Sequence, residues 1–165
     1  MNRNVWKYLA AVSMLLDHIG YFLLPETSAV YWICRVLGRV AAPSMCYLMA
    51  EGYRFTGSRS RYALRLLIFA VISQPVFSWA FYGNPVTLNI SVMGTLLLAF
   101  LALWFSDDGP IPANKTLMVG ALVLFSSLGD WGVVIPVLVL LFYYSGGSRK
   151  KQEKIYLIAV LVFLG

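Results

Sequence analysis

The chain has 165 residues, of which 60% are hydrophobic and only 12% are charged, and its mean hydropathy is +0.76. A soluble domain of this size needs more polar surface than this composition supplies, and apolar runs of about twenty residues recur along the chain. We therefore exclude a soluble globular class and predict an all-α polytopic membrane bundle, formed as one domain over residues 1–165.

Seven helical segments are predicted in chain order. Six are predicted to be full transmembrane helices, over residues 5–24, 30–53, 62–81, 87–105, 115–128 and 131–144. A turn at 107–110 ends the fourth of them. A seventh segment, from Lys154 to the last residue, rises only about 16 Å, roughly half of the hydrocarbon thickness, so we expect a partial span.

The basic residues predict how the helices are oriented. Eleven of the thirteen Lys and Arg residues lie before the first helix or near the loops that follow the second, fourth and sixth helices. The opposite loops, around Glu26, Asn84 and Asp130, contain neither. Because cytoplasmic loops carry the excess of Lys and Arg, this distribution predicts a cytoplasmic N terminus. It also explains the net charge of +6 without a nucleic-acid partner.

Four ionisable residues lie deep inside predicted helices. Asp17 and His18 are in the first helix, and Arg35 and Arg39 share one face of the second. The pair on the first helix and the pair on the second each lie about 14–16 Å from a membrane surface, near the midplane. A short loop makes the two helices antiparallel neighbours. Charged groups at this depth normally face the bundle interior and pair with one another, or mark a functional path.

Two interpretations of these four residues stay open. In the first, Asp17 forms a structural ion pair with one arginine. In the second, the set is a site that accepts an anion beside a base, since one acid needs only one arginine. Neighbouring helical positions differ by about 100°, so Asp17 and His18 cannot both face the same partner.

Other residues are weaker candidates. Arg59, Arg61 and Arg65 either hold phosphates or only set the topology. Substrate-binding candidates are Glu51, Gln74 and Asn89. Cys34 and Cys46, twelve positions apart on one predicted helix, cannot form a disulfide, and a single histidine predicts no metal site.

Four stretches of the chain resemble the TraX family, bacterial integral membrane proteins named for the acetylase of F-type conjugative pilin. They are MLLDHIG (14–20), RVLGRVAAPSMCYLMAEGYRFT (35–56), YALRLLIFAVISQPVF (62–77) and GDWGVVIPVLVLLFYY (129–144). The resemblance implies an acetyltransferase of the bacterial inner membrane that uses acetyl-CoA and no metal. The implied acceptor is a pilin N terminus, another peptide amine, a saccharide or a lipid headgroup, and a homo-oligomer stays open.

The TraX family in turn resembles a wider group of transmembrane acyltransferases, many with a basic residue eleven positions before an essential histidine. Lys7 and His18 have this spacing, which turns through about 1100° and puts both on one helix face. The resemblance implies His18 as general base, Arg39 or Arg35 as oxyanion partner, and Lys7 with the arginines near 59–65 as phosphate ligands. The rival interpretation is a proton-coupled transporter or accessory translocation subunit, with Asp17 and His18 as a proton relay.

Overall fold

A computed structural model of the protein describes residues 3–108, 115–129 and 131–164. These ranges are almost entirely helical and contain no β-strand beyond one isolated parallel bridge between Ile90 and Gly129. The predicted all-α class is therefore confirmed. The helices are α1 (Arg3–Leu23), α2 (Ala29–Arg39), α3 (Ala41–Phe55), α4 (Arg59–Tyr82), α5 (Val92–Asp108), α6 (Lys115–Phe125), α7 (Val134–Tyr144) and α8 (Arg149–Leu164), with a 3-10 turn at Ser126–Leu128.

Two helices in the described ranges are long and apolar enough to cross a membrane. They are Ala29–Phe55, which comprises α2 and α3, and Arg59–Tyr82, which is α4. The segments Val92–Asp107, Lys115–Leu128 and Val134–Tyr144 are apolar but shorter. Helix α1 has 21 residues but is not in this class, and it carries Lys7, Asp17 and His18 within its length. The structure thus supports two spans by length and composition, fewer than the six predicted.

The predicted second helix, 30–53, is divided in the structure. The division falls at Val40, between α2 and α3. Its cause is Pro43, because proline has no N–H for the carbonyl of Arg39 and its ring collides with that carbonyl. The hydroxyl of Ser44 donates a 2.8 Å hydrogen bond to the carbonyl of Val40, which satisfies that group at the bend. The arginines of α2 therefore lie on a separate short helix.

Several other predicted boundaries also move, among them the starts of α5, α7 and α8. Helix α5 begins at Val92 rather than at 87, α7 at Val134 rather than at 131, and α8 at Arg149 rather than at 154. The first shift arises because residues 83–91 form a loop, which Gly83 opens in the left-handed conformation at φ 66°. The second half of the predicted turn at 107–110, and Asp130, lie outside the residues that the structure describes.

Helix α3 is the centre of the packing. It contacts α1, α5, α7 and α8, and the most completely buried side chains around it are Cys46, Phe100, Val139 and Phe142. Helices α1 and α4 lie at the margin and expose many large apolar side chains. A cavity between α1 and α3 is consequently at the edge of the bundle, where it can be reached from outside.

Candidate functional site

Two glycines allow α1 and α2 to approach closely. A Cβ at Gly38 would lie 2.8 Å from the Cα of Asp17, and a Cβ at Gly20 would lie 3.0 Å from the Cβ of Cys34. Such distances leave no room for a side chain at position 38 unless the helices separate. The glycines therefore determine that the Asp17 level of α1 and the arginine level of α2 meet, as the sequence predicts.

Asp17 is paired with one of the two arginines. A guanidinium nitrogen of Arg35 lies 2.8 Å from Oδ1 of Asp17, and the side chains are 21% and 23% exposed. The guanidinium also lies 5.5 Å from the ring centroid of Tyr21, a cation–π distance. Arg35 is thus the partner that neutralises Asp17.

Arg39 has different partners. Its guanidinium donates a hydrogen bond to the carbonyl of Phe163, in the last turn of α8. It also lies 5.2 Å from the ring centroid of Trp131. Carbonyls in the last turn of a helix lack intrahelical donors, so this contact satisfies one of them. The two arginines are equivalent in the sequence pattern, but in the fold they have different partners.

His18 is held by its own helix. The carbonyl of Met14 lies 2.7 Å from Nδ1 of His18, and a carbonyl can only accept a hydrogen bond. In the neutral imidazole Nδ1 therefore carries the proton, and the lone pair of Nε2 is available as a base. The ring stacks beside Phe22 at a centroid distance of 6.3 Å and is exposed on the helix surface.

Asp17 and His18 line the same small cavity, of about 80 Å³. It lies between α1, α3 and α4, and its other lining residues are Met14, Gly38, Ala41, Ala42, Met45, Phe77, Phe81, Val92 and Trp131. Phe81 contacts Tyr21 and Phe22 at centroid distances of 5.1 and 5.2 Å. A volume of this size accommodates about two or three water molecules or one small acyl group. The side chains from α3 and α4 that line the cavity are apolar, and Asp17 and His18 line its α1 side.

Helix α1 presents two stripes of residues with different surroundings. The stripe that packs against the bundle comprises Trp6, Ala10, Ser13 and Asp17. Lys7 and His18 lie on the neighbouring stripe and are exposed. Since Trp6 and Asp17 are also eleven residues apart, the predicted periodicity holds for both pairs, and only the second pair faces outward.

Arg59 belongs to a polar network at one end of the bundle. Oδ2 of Asp107 lies 3.1 Å from the Arg59 guanidinium and accepts a 3.1 Å hydrogen bond from the Tyr53 hydroxyl. Oδ1 accepts a 2.9 Å bond from the hydroxyl of Tyr143. This network joins α3, α4, α5 and α7. Asp107 was not predicted as a site residue, because in the sequence it is only the first residue of the predicted turn at 107–110.

Arg61 and Arg65 line a second cavity, of about 270 Å³, together with residues 56–58 and Tyr62. The cavity lies at the N-terminus of α4, where Ser58 caps the helix by accepting a 3.4 Å hydrogen bond from the Arg61 amide. A helix N-terminus flanked by two guanidinium groups attracts phosphate through both the dipole and the charges. Arg61 and Arg65 therefore remain candidates for the predicted phosphate site.

The three substrate-binding candidates lie apart from His18. The side-chain amide of Gln74 donates to the Asn89 carbonyl at 2.6 Å and accepts from the Ser91 amide at 2.8 Å, so it fastens the loop before α5. Asn89 contributes its backbone to this contact. Glu51 lies 3.8 Å from Arg54 and lines a third cavity, of about 490 Å³, between α1, α3, α7 and α8.

Comparison with known proteins gives two curated relatives. The chain is 33% identical over 178 residues to a "Probable fimbrial assembly protein FimC, serogroup H1" of Dichelobacter nodosus, covering 99% of this chain and 73% of that protein. It is 32% identical over 90 residues to an uncharacterized protein of Rickettsia prowazekii, covering 54% of this chain and 32% of that one. No solved structure matches. The family described as "TraX protein" matches residues 2–165, and the chain therefore belongs to the TraX family.

Proposed function

We propose that the protein is an integral membrane acyltransferase that transfers an acetyl group from acetyl-CoA to an amine or hydroxyl acceptor. Membership of a family named for pilin acetylation supports this proposal. The observation that carries it is the state of His18, whose Nδ1 is engaged by the Met14 carbonyl while Nε2 is available beside an open cavity. An imidazole in this state has a lone pair that can accept a proton, as general-base catalysis requires.

The proposed reaction is a direct transfer. Nε2 of His18 takes the proton of the acceptor amine or hydroxyl as that group attacks the thioester carbonyl carbon. The tetrahedral oxyanion then collapses, the C–S bond breaks, and the thiolate of CoA leaves and takes the proton back from the imidazolium. Because the charge of Arg35 is already balanced by Asp17, we propose Arg39 as the oxyanion partner. Its guanidinium does not line the cavity but lies 5.2 Å from the ring centroid of Trp131, which does, so Arg39 would exchange the Phe163 carbonyl for the oxyanion during the reaction.

The donor would reach this cavity from the end of the bundle that carries the arginines. Lys7 lies on the same face of α1 as His18, about 16 Å away along the helix axis. Arg61 and Arg65 surround the cavity at the start of α4. We propose that these three residues hold the phosphates of CoA, while its long pantetheine arm extends toward His18. Arg59, engaged with Asp107, is a weaker candidate for this role.

The proposed topology has the N terminus in the cytoplasm of the bacterial cell, six spans and a seventh partial one in the inner membrane. It can be measured by thiol labelling of intact cells, because the native Cys34 and Cys46 are buried and give little background. A cysteine at position 84 should react from the outer side. A cysteine at position 57, where a Cβ meets nothing within 4 Å, should react only after permeabilisation. The reverse pattern would contradict the topology.

For the acceptor, we propose a peptide amine, with the N terminus of a pilin as the first candidate. The name of the Dichelobacter nodosus relative refers to fimbrial assembly, and fimbriae are built from such subunits. A saccharide or a lipid headgroup is the alternative acceptor class. Both classes present a neutral nucleophile that needs a proton acceptor at the moment of attack, as the role of His18 requires.

The test is release of free CoA from acetyl-CoA by the purified protein in the presence of candidate acceptors. We expect His18→Ala to lower turnover by about 10²–10⁴-fold, the usual contribution of a general base, with little change in melting temperature. Leu15→Ala is the matched control, since Leu15 is 59% exposed on the same helix and does not line the cavity. Absence of CoA release with every acceptor class would favour the transporter, and turnover retained by His18→Ala would assign the base elsewhere.

A further inference from the structure

The largest of the three cavities described above has no part in the proposed reaction. Its volume is about 490 Å³, within the range of pockets that hold organic ligands. It is formed by the start of α1, the ends of α3 and α7, and the start of α8. Both this cavity and the His18 cavity are lined by α1 and α3, but the two share no lining residue.

The lining of this cavity is layered. Glu51, Arg149 and Glu153 lie on the last turns of α3 and the first turns of α8, toward the helix ends. The residues about one helical turn further in, Tyr47 and Tyr156, are aromatic, and Leu157 lies beside them with 64% of its surface exposed. The cavity therefore has a charged mouth and an apolar interior.

The charged groups at the mouth have both signs and are open to a ligand. Arg149 and Glu153 are four residues apart on α8, yet the described residues show no ion pair within 4 Å for either. Glu51 is 3.8 Å from the nearest nitrogen of Arg54, beyond hydrogen-bonding distance. Two carboxylates and one guanidinium thus retain acceptors and donors for a bound molecule.

The aromatic groups add a surface for a cation. Trp6 packs against Tyr47 in a tilted arrangement and against Tyr156 edge to face, at centroid distances of 5.8 and 5.6 Å. The hydroxyl of Tyr156 is fixed by a 2.8 Å hydrogen bond with the buried Ser44, so this wall is rigid. Aromatic rings and carboxylates that line one cavity can attract an ammonium group through cation–π and charge-assisted contacts together.

We infer that this cavity binds the headgroup of an ammonium-bearing zwitterionic phospholipid from the inner leaflet. The ammonium would contact Glu51 and Glu153, the phosphate would contact Arg149, and an acyl chain would follow the apolar interior past Leu157. The inference rests on the proposed topology, which puts this end of the bundle at the cytoplasmic surface. A CoA donor fits less well, because two carboxylates oppose a molecule with several phosphates.

The test uses the full-length protein, delipidated in detergent, with phosphatidylethanolamine or phosphatidylglycerol added at equal mole fraction. We expect phosphatidylethanolamine to raise the melting temperature by about 3–6 °C more than phosphatidylglycerol does. Glu153→Gln should remove most of this difference. Lys150→Gln is the control, because Lys150 is exposed on the same turn and does not line the cavity. Glu51→Gln provides a second variant should Glu153→Gln change the fold.

Equal shifts with the two lipids, or an unchanged preference in Glu153→Gln and Glu51→Gln, would overturn the inference. Displacement of the lipid effect by added CoA would also overturn it, by assigning the cavity to the donor. These outcomes are separate from the proposed function. Loss of lipid selectivity leaves CoA release and thiol labelling unchanged, whereas a failed topology appears in the labelling at positions 57 and 84.

Discussion

The two stripes of α1 differ in what surrounds them. Trp6 and Asp17, on one stripe, are engaged by α3, α8 and α2 through ring contacts and an ion pair. Lys7 and His18, on the other, face outward, and His18 is anchored only through its own helix. Both pairs have the same spacing. The stripe with external partners determines where α1 lies, and the stripe without them is free to meet a ligand.

The largest effect on the difference between the two stripes is expected at the ion pair between Asp17 and Arg35. Arg35→Met leaves Asp17 without its partner at partial burial, where removing one member of a pair costs less than the 3–5 kcal/mol of a fully buried one. Since both side chains are about a fifth exposed, we expect a loss of about 2–3 kcal/mol in the free energy of unfolding. Thermal or denaturant unfolding in detergent measures it.

The second variant that tests this ion pair is Asp17→Leu. Combined with Arg35→Met, it should recover most of the lost stability, because an apolar pair can replace an ion pair of similar volume. An Arg39→Met protein should not be rescued by Asp17→Leu, because Arg39 contacts Phe163 and Trp131 instead. Rescue of Arg39→Met, with none for Arg35→Met, would reverse the assignment of partners.

A smaller effect is expected where the two helices touch. Gly38→Ala places a methyl group against the Asp17 backbone, so α1 and α2 must separate, at a cost of about 1–2 kcal/mol. Gly120→Ala is the matched control, since a Cβ there meets nothing within 4 Å and alanine favours the helix. The two variants are compared by melting temperature. Equal shifts would show that the close approach at Gly38 contributes nothing.

The smallest effect is expected from a change on the stripe of α1 that faces outward, at Lys7. Lys7→Gln should raise the KM for acetyl-CoA by about three- to ten-fold, with kcat nearly unchanged, because it removes one phosphate contact at an exposed position. The difference from the unmodified protein should shrink at high salt, where exposed charges are screened. Lys150→Gln again serves as control. An effect of Lys7→Gln on kcat alone would place Lys7 near the reacting atoms instead.

The fold class could be read from the sequence because apolar content and helix periodicity are local properties. The helix boundaries were predictable only where a local signal dominates. Pro43 was visible in the sequence, but its bend at Val40 was overlooked within a long apolar run. The late start of α5 was not predictable, since it depends on Gln74 binding the loop backbone at Asn89 and Ser91.

The site was predicted in part for a similar reason. Helical spacing correctly indicated that Asp17 and His18 have different partners, and the short loop correctly indicated that an arginine of α2 lies beside Asp17. Spacing could not decide which arginine pairs with Asp17, because the choice depends on the rotation of α2 about its axis and on the position of α8. Trp131, in the turn before α7, and Tyr156, on α8, line the cavities from parts of the chain distant from α1, and they gave no signal beyond that of aromatic residues near helix ends.

The contact between Asp17 and Arg35 also bears on how the chain enters the membrane during synthesis. Alone, α1 would bring Asp17 and His18 into lipid, and each charged group at the centre of a helix costs about 2.5–3.5 kcal/mol on insertion scales. Arg35 follows eighteen residues later on α2, and the glycine at 38 lets the two helices meet backbone to backbone. In the proposed topology α1 would therefore partition into the bilayer together with α2, as a hairpin in which the charges of Asp17 and Arg35 already neutralise each other.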